Sequence, residues 1–151
     1  MRTVVFTLIF WGLAFAAKAQ SPSTEQLDIT LMQAFIQDIS NEELRADVIL
    51  SKHVLLAKEL DNDSYDYLEA SIDEIRLNLA DKDLKSLEFI PFNKLPRKET
   101  RDIDPEGKPT DKMYFIRYKG RQLFALYLAQ DKIASFTLVS KGNNLAHFVT
   151  Y

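Results

Sequence analysis

No cysteine occurs anywhere in the chain. Disulfides, thiol catalysis, a lipid anchor on cysteine and any thiolate metal site are therefore excluded. Histidine is almost as scarce. His53 and His147 stand far apart, and no His-x-x-x-His spacing supports a metal centre. With four glycines in all, the chain has no glycine-rich phosphate loop, and it lacks the Gly-x-Ser-x-Gly nucleophile elbow. These absences predict no cofactor and no metal. After the N-terminal segment no apolar run reaches membrane length.

The long apolar run that does exist is N-terminal. Arg2 precedes an uncharged stretch, Val4 to Ala16, and Ala17-Lys18-Ala19 follows as a small-x-small cleavage site. That three-part pattern predicts a secretory signal peptide over residues 1–19, in preference to a buried N-terminal helix. Residues 20–151 then form a single α+β domain, long enough to bury about two-thirds of its surface without staples. Export without cysteine points to a bacterial periplasm or the extracellular space, and to a domain off the membrane once the signal is removed.

Charge is divided along the chain. Without Arg2 and Lys18, the 19 basic residues fall to 17 against 22 acidic, a net charge of −5. Gln20 to Leu84 carries 5 basic and 15 acidic residues, whereas Lys85 to Tyr151 carries 12 and 7. The halves are expected to attract each other within one fold, the alternative being a basic edge that meets an anionic ligand. Arg97, Lys98, Arg101, Arg117, Lys119 and Arg121 would form that edge, although lysine and arginine also serve to blunt strand edges. Nucleic acid is not an expected partner of an exported, acidic chain.

Helical periodicity fills the first half. Leu27, Leu31, Ala34/Phe35 and Ile39 predict a helix over about Thr24–Ile39, and Ser40-x-x-Glu43 reads as a capping box for a second. The second helix is expected to reach Lys52; His53 to Leu56 suits a strand as well. Asp61-Asn62-Asp63-Ser64-Tyr65-Asp66 resembles a calcium-binding loop, but Ile72 stands where the closing glutamate belongs, so it is read as a helix cap. Leu68, Ile72, Ile75 and Leu79 then mark a narrow apolar stripe, with Asp66, Glu69, Asp73 and Glu74 outside it.

From Ser86 the period becomes two. Five strands are expected: Leu87–Phe92 (an edge, because of Pro91), Met113–Lys119, Gln122–Ala129, Ile133–Val139 and Leu145–Tyr151. Between the first two lies a charged loop, Asn93 to Lys112, with an extra hairpin around Ile103 as the alternative. Helices followed by strands predict three helices packed on a curved antiparallel meander.

In the register that gathers the bulkiest residues, one face holds Phe124, Leu126, Leu128, Ala134, Phe136, Leu138, Ala146 and Phe148. The opposite face then carries Tyr114, Tyr118, Tyr127, Thr137, His147 and Tyr151, a mixture that suits a cavity or an interface. A one-residue slip would reassign a whole strand.

The helix pair, the amphipathic helix Ser64–Ala80 and Asp131-Lys132-Ile133 leading into a strand give a layout that resembles the nuclear transport factor 2-like superfamily. The glycine usual before that lysine is absent, and the short strand before the third helix is hinted at only by Ser51-Lys52-His53-Val54. The resemblance implies a cone with a pocket between helices and sheet, and the superfamily hosts enzymes, binding modules and dimerisation domains. Two functions are therefore carried forward. The first is a non-catalytic exported domain that binds a small apolar-aromatic ligand, a partner protein or a second copy of itself. The second is a small enzyme with His147 and Tyr127 or Tyr151 as its acid-base groups.

Overall fold

The computed structural model describes residues 23–151. The signal-peptide expectation over 1–19 lies outside them. Helix α1 (Thr24–Ser40) opens with the Ser23 hydroxyl accepting from Gln26 N, and α3 (Asn62–Leu79) opens with the Asp61 carboxylate accepting from Ser64 N. Each satisfies an amide that the first helical turn cannot pair. The capping box expected at Ser40 is not formed. Ser40 ends α1, its hydroxyl lacks a partner, and α2 (Ala46–His53) starts only after the Asn41–Arg45 turn.

Five strands were expected in one sheet; among the described residues six form, in two sheets. β1 (Leu87–Pro91), β2 (Met113–Tyr118), β3 (Arg121–Ala129) and β4 (Lys132–Ser135) pair antiparallel in chain order. β5 (Leu138–Gly142) and β6 (Leu145–Phe148) form a separate hairpin. Lys119-Gly120, Gln130-Asp131 and Asn143-Asn144 all take positive φ at the tips. Two such residues in succession give the turn whose twist matches that of paired strands.

The α3 stripe, Leu68, Ile72, Ile75 and Leu79, is buried together with Met32, Phe35, Ile36 and Ile39 of α1 and Ile49 and Leu50 of α2. On the sheet it meets Tyr114, Ile116, Leu126, Leu128 and Ile133. Removing one such aliphatic side chain from water contributes about 1.5–3 kcal/mol. The α1 stripe is rotated by one residue from expectation. Leu27 is 56% exposed and Asp28 is buried in its stead, because Asp28 has partners inside.

Tyr114, Ile116 and Tyr118 were expected opposite Phe124 and Leu126 across the sheet; the structure puts them on the same face. Across the turn Tyr118 pairs with Arg121 and Arg117 with Gln122, yet the next pair is Ile116 with Phe124. Leu123 is an extra residue in β3. Continued unbroken, the turn register would set Tyr114 opposite Ala125; the bulge sets it opposite Leu126.

The second face carries Met113, Phe115, Ala125, Tyr127 and Ala134, and the chain covers it itself. Phe148 and Leu138 come from the β5–β6 hairpin, and Phe92, Leu95 and Ile103 from the long 92–112 segment. The Phe148 ring lies 6.4 Å from Phe115 and 6.1 Å from Tyr127. Ile103 bridges Ala146 of β6, which ties the segment to the hairpin in place of the extra hairpin considered above. Acidic and basic halves do meet in one fold, through Lys94–Glu25 at 2.7 Å and Lys112–Asp28 at 2.8 Å.

Candidate functional site

The expected strand Ile133–Val139 is broken at Phe136 and Thr137, and side chains do the breaking. Ser135 Oγ accepts from Thr137 N at 3.2 Å and donates to Thr137 O at 3.1 Å. Phe136 N donates to the Tyr151 hydroxyl at 3.1 Å, and that hydroxyl also bonds Thr137 Oγ1. Local hydroxyl bonds of this kind compete with a β ladder. β4 accordingly pairs with β3 only at Tyr127, Leu128 and Ala129, and the chain turns off to make β5.

Where the sheets part, a cleft of about 330 Å³ opens between α3 and the diverging strands. Tyr67, Ser71, Glu74 and Asn78 of α3 form one wall. Gln122–Ala125 of β3 and Phe136–Val139 form the other two. Residues 67, 71, 74 and 78 repeat at helical spacing, so they form one row beside the buried stripe. Tyr67 is 54% exposed, a large ring presented at the mouth. Its size is at the small end of the range of ligand pockets, and its lining mixes rings and aliphatic groups with amide, hydroxyl and carboxylate groups.

The six residues expected to form one site are divided among several environments. Thr137 and Tyr151 meet, as described, and Thr137 lines the cleft. Burial pushes the Tyr151 phenol up, against its hydrogen bonds from Thr137 and Phe136, so it stays protonated there. Tyr118 sits at the end of β2 with the Lys119 and Lys82 ammonium groups 5.2 and 5.9 Å from its ring centre. Tyr114 is buried under α1, bonded to Asp28, and Tyr127 packs on the opposite face against Phe148. His147 faces neither cleft nor core. Its Nδ1 lies 3.0 Å from Glu106 Oε2, beside Lys141 and Lys108, in a charged cluster that ties the 104–108 turn to the hairpin. His147, Lys108 and Lys141, in that order, hold the Glu106 carboxyl far below the usual range.

His53, the other histidine, has Nε2 2.7 Å from Asp38 Oδ2, an oxygen it shares with Lys52 at 2.6 Å. This joins the end of α2 to α1. A second opening of about 350 Å³ lies between α1 and β1, lined by Gln33, Ile36, Gln37, Leu87 and Phe89. Among the described residues no group of three or more His, Asp or Glu side chains is arranged to hold a metal ion. Among them, too, no helix is long and apolar enough to cross a membrane. Tyr67 and Asn78 were not singled out from the sequence; Glu74 was read as part of a solvated helix side, and Phe124 and Phe136 as part of the bulky face of the sheet. Tyr67 was the available signal, a large ring lying outside the apolar stripe of its helix.

Comparison with protein-family models, with curated proteins and with solved structures finds no match to this chain.

Proposed function

We propose that the chain is an exported, non-catalytic binding domain whose site is the cleft between α3 and the parting of the two sheets. The ligand is a small apolar-aromatic molecule or a segment of a partner protein. The cleft itself carries this reading: it holds exposed aromatic surface, a carboxylate and amides, and neither histidine lines it. The enzymatic alternative rested on His147 with Tyr127 or Tyr151. His147, whose Nδ1 lies 3.0 Å from Glu106 Oε2, does not line the cleft, and Tyr127 and Tyr151 belong to separate packing clusters. The resemblance to the nuclear transport factor 2-like superfamily is part of the proposal. The order of helices before strands supports it, as does the isolated bridge from Val54 to Ile133, where a short strand was expected. The aromatic residues that suggested a dimer do not share one face: Tyr127 packs under the chain's own hairpin, and Tyr114, Tyr118 and Tyr151 belong to the other cluster.

Titration of the purified protein with a hydrophobic dye, followed by amide chemical shifts, tests the reading. Shifts should concentrate on Tyr67, Asn78, Gln122–Ala125 and Thr137. Dye that binds elsewhere, or not at all, would overturn it. N-terminal sequencing of the protein secreted by a bacterial host tests export, with Gln20 expected as the first residue; an uncleaved chain retained in the cytoplasm would refute that part.

A further inference from the structure

The residues on two walls of the cleft are consecutive: Gln122, Leu123, Phe124 and Ala125 on one side, Phe136 to Val139 on the other. A surface that looked onto a sheet face would be lined by every second residue, because side chains alternate between faces. Consecutive residues mean that the cleft looks onto strand edges. Pairing says the same. β3 has β2 on one side from Arg121 to Tyr127, interrupted at Leu123, but β4 only from Tyr127 to Ala129, so Arg121–Ala125 have a ladder partner on the β2 side alone. β5 pairs only with β6, and its other edge faces the cleft.

An unpaired edge is a template for another strand, and proteins usually blunt it with proline, charge or a covering element. Arg121 supplies charge only at the turn end; Gln122–Ala125 holds neither proline nor charge, and the segment that would have covered it is turned away by the Ser135, Thr137 and Tyr151 hydroxyls. Among the described residues that line the cleft, Glu74 is the only charged one. It lies on the α3 wall of the cleft, where Phe124 and Phe136 are among the lining residues of the other walls.

We propose that the cleft takes an extended peptide segment of a partner protein, added as a strand to the free edge of β3 at Gln122–Ala125, with a lysine or arginine directed at Glu74. This rests on the binding-domain reading above and specifies its partner. Main-chain hydrogen bonds supply affinity in strand addition, and alternate side chains supply specificity. The bulge at Leu123 limits the edge to a short segment, so the peptide is short and depends on its side-chain contacts.

The test uses a fluorescent peptide, Thr-Val-Lys-Val-Thr, and two relatives: one with glutamate replacing the lysine, one with alternate backbone nitrogens methylated. Fluorescence anisotropy measures binding to the purified protein, and amide shifts locate it. The lysine peptide should bind with shifts on Gln122–Ala125, the glutamate peptide about tenfold more weakly, roughly the 1.4 kcal/mol of a single lost charge contact. The methylated peptide should not bind. Glu74→Gln, on an exposed helical position, should leave the fold intact and erase the preference for lysine. If the methylated peptide binds as well as its parent, strand addition is wrong while the cleft remains a binding site. An unchanged lysine preference in Glu74→Gln would overturn the assignment of the basic contact. If neither peptides nor dye perturb the cleft, the binding-domain reading itself fails.

Discussion

The Tyr114 hydroxyl donates a 2.8 Å hydrogen bond to Asp28 Oδ2, joining the first helix to the second strand across 86 positions of sequence. Lys112 Nζ donates to both oxygens of the same carboxylate, at 2.8 and 2.9 Å. A carboxylate this far from water is tolerable only with such partners. Burial, then Asp28, push the Tyr114 phenol far up, so it remains a donor at any ordinary pH. Tyr114→Phe should cost about 1.5–3 kcal/mol, the range for hydrogen bonds to charged groups. Asp28→Leu should cost less than Asp28→Ala if its packing compensates. Urea midpoints of the three variants check both statements; a neutral Tyr114→Phe would show that Lys112 alone satisfies the carboxylate.

Arg76 connects three elements. From α3 its Nε donates to Ile39 O at 2.7 Å and its Nη2 to Leu44 O at 2.6 Å, while Nη1 meets Asp73 at 2.8 Å. Ile39 O is one of the last-turn carbonyls that α1 cannot satisfy itself. Arg76→Met should destabilise by about 2–4 kcal/mol. Arg76→Lys should recover only part of this, because one ammonium cannot reproduce the planar fork. Thermal unfolding of the pair decides; full recovery in the lysine variant would show that charge, not geometry, is what matters.

The second face of the sheet is core. Phe148→Ala should cost about 3–5 kcal/mol by leaving a cavity over Phe115 and Tyr127. Tyr127→Glu, which an open interface would accept, should abolish cooperative unfolding or lower its midpoint severely, because the carboxylate would be buried among apolar groups. Circular dichroism against temperature distinguishes these outcomes. A native-like melt for Tyr127→Glu would mean that the hairpin does not cover this face in solution.

Acid should weaken the protein through two clusters. Hydrogen bonds from His53, then Lys52, hold the Asp38 carboxyl below its ordinary 3.8. Lys141 does the same for Asp104, and His147 leads the groups that lower Glu106. Carboxyls lowered on folding stabilise the native state above their unfolded values and lose that contribution as pH falls through the folded ones. Urea midpoints should therefore decline from about pH 5 downward to about pH 2. Asp38→Asn should flatten that decline. Lys52 is the most exposed member of either cluster, so the part of the Asp38 share that it supplies should shrink in high salt, while the His53 part persists. A decline identical in Asp38→Asn and Glu106→Gln would show that other carboxyls dominate.

Periodicity located α1, α3 and most strands to within a few residues, because each buries one face and the sequence records which. It failed where a single atom or residue altered the geometry. Asp28 sits inside the α1 stripe because Tyr114 and Lys112, far along the chain, receive it. Leu123 inverts the face of β2 relative to β3, and no glycine announces that bulge. Ser135 is one serine in an apolar run, yet its hydroxyl diverts the strand. Thr137 and Tyr151 were expected on one face and do meet; the α3 wall of the cleft was not read from the sequence, since Glu74 and its neighbours have the composition of a solvated helix side.

All the strands that cover the helices lie after Leu79 in the chain. A polypeptide delivered N-terminus first exposes Met32, Phe35 and Ile72 well before Ile133 arrives, about 50 residues behind α3, an interval of several seconds at roughly 5–20 residues per second. Until then the helices have only one another to pack on. Closure of the core waits for β4, so folding is completed only once the final third of the chain is present.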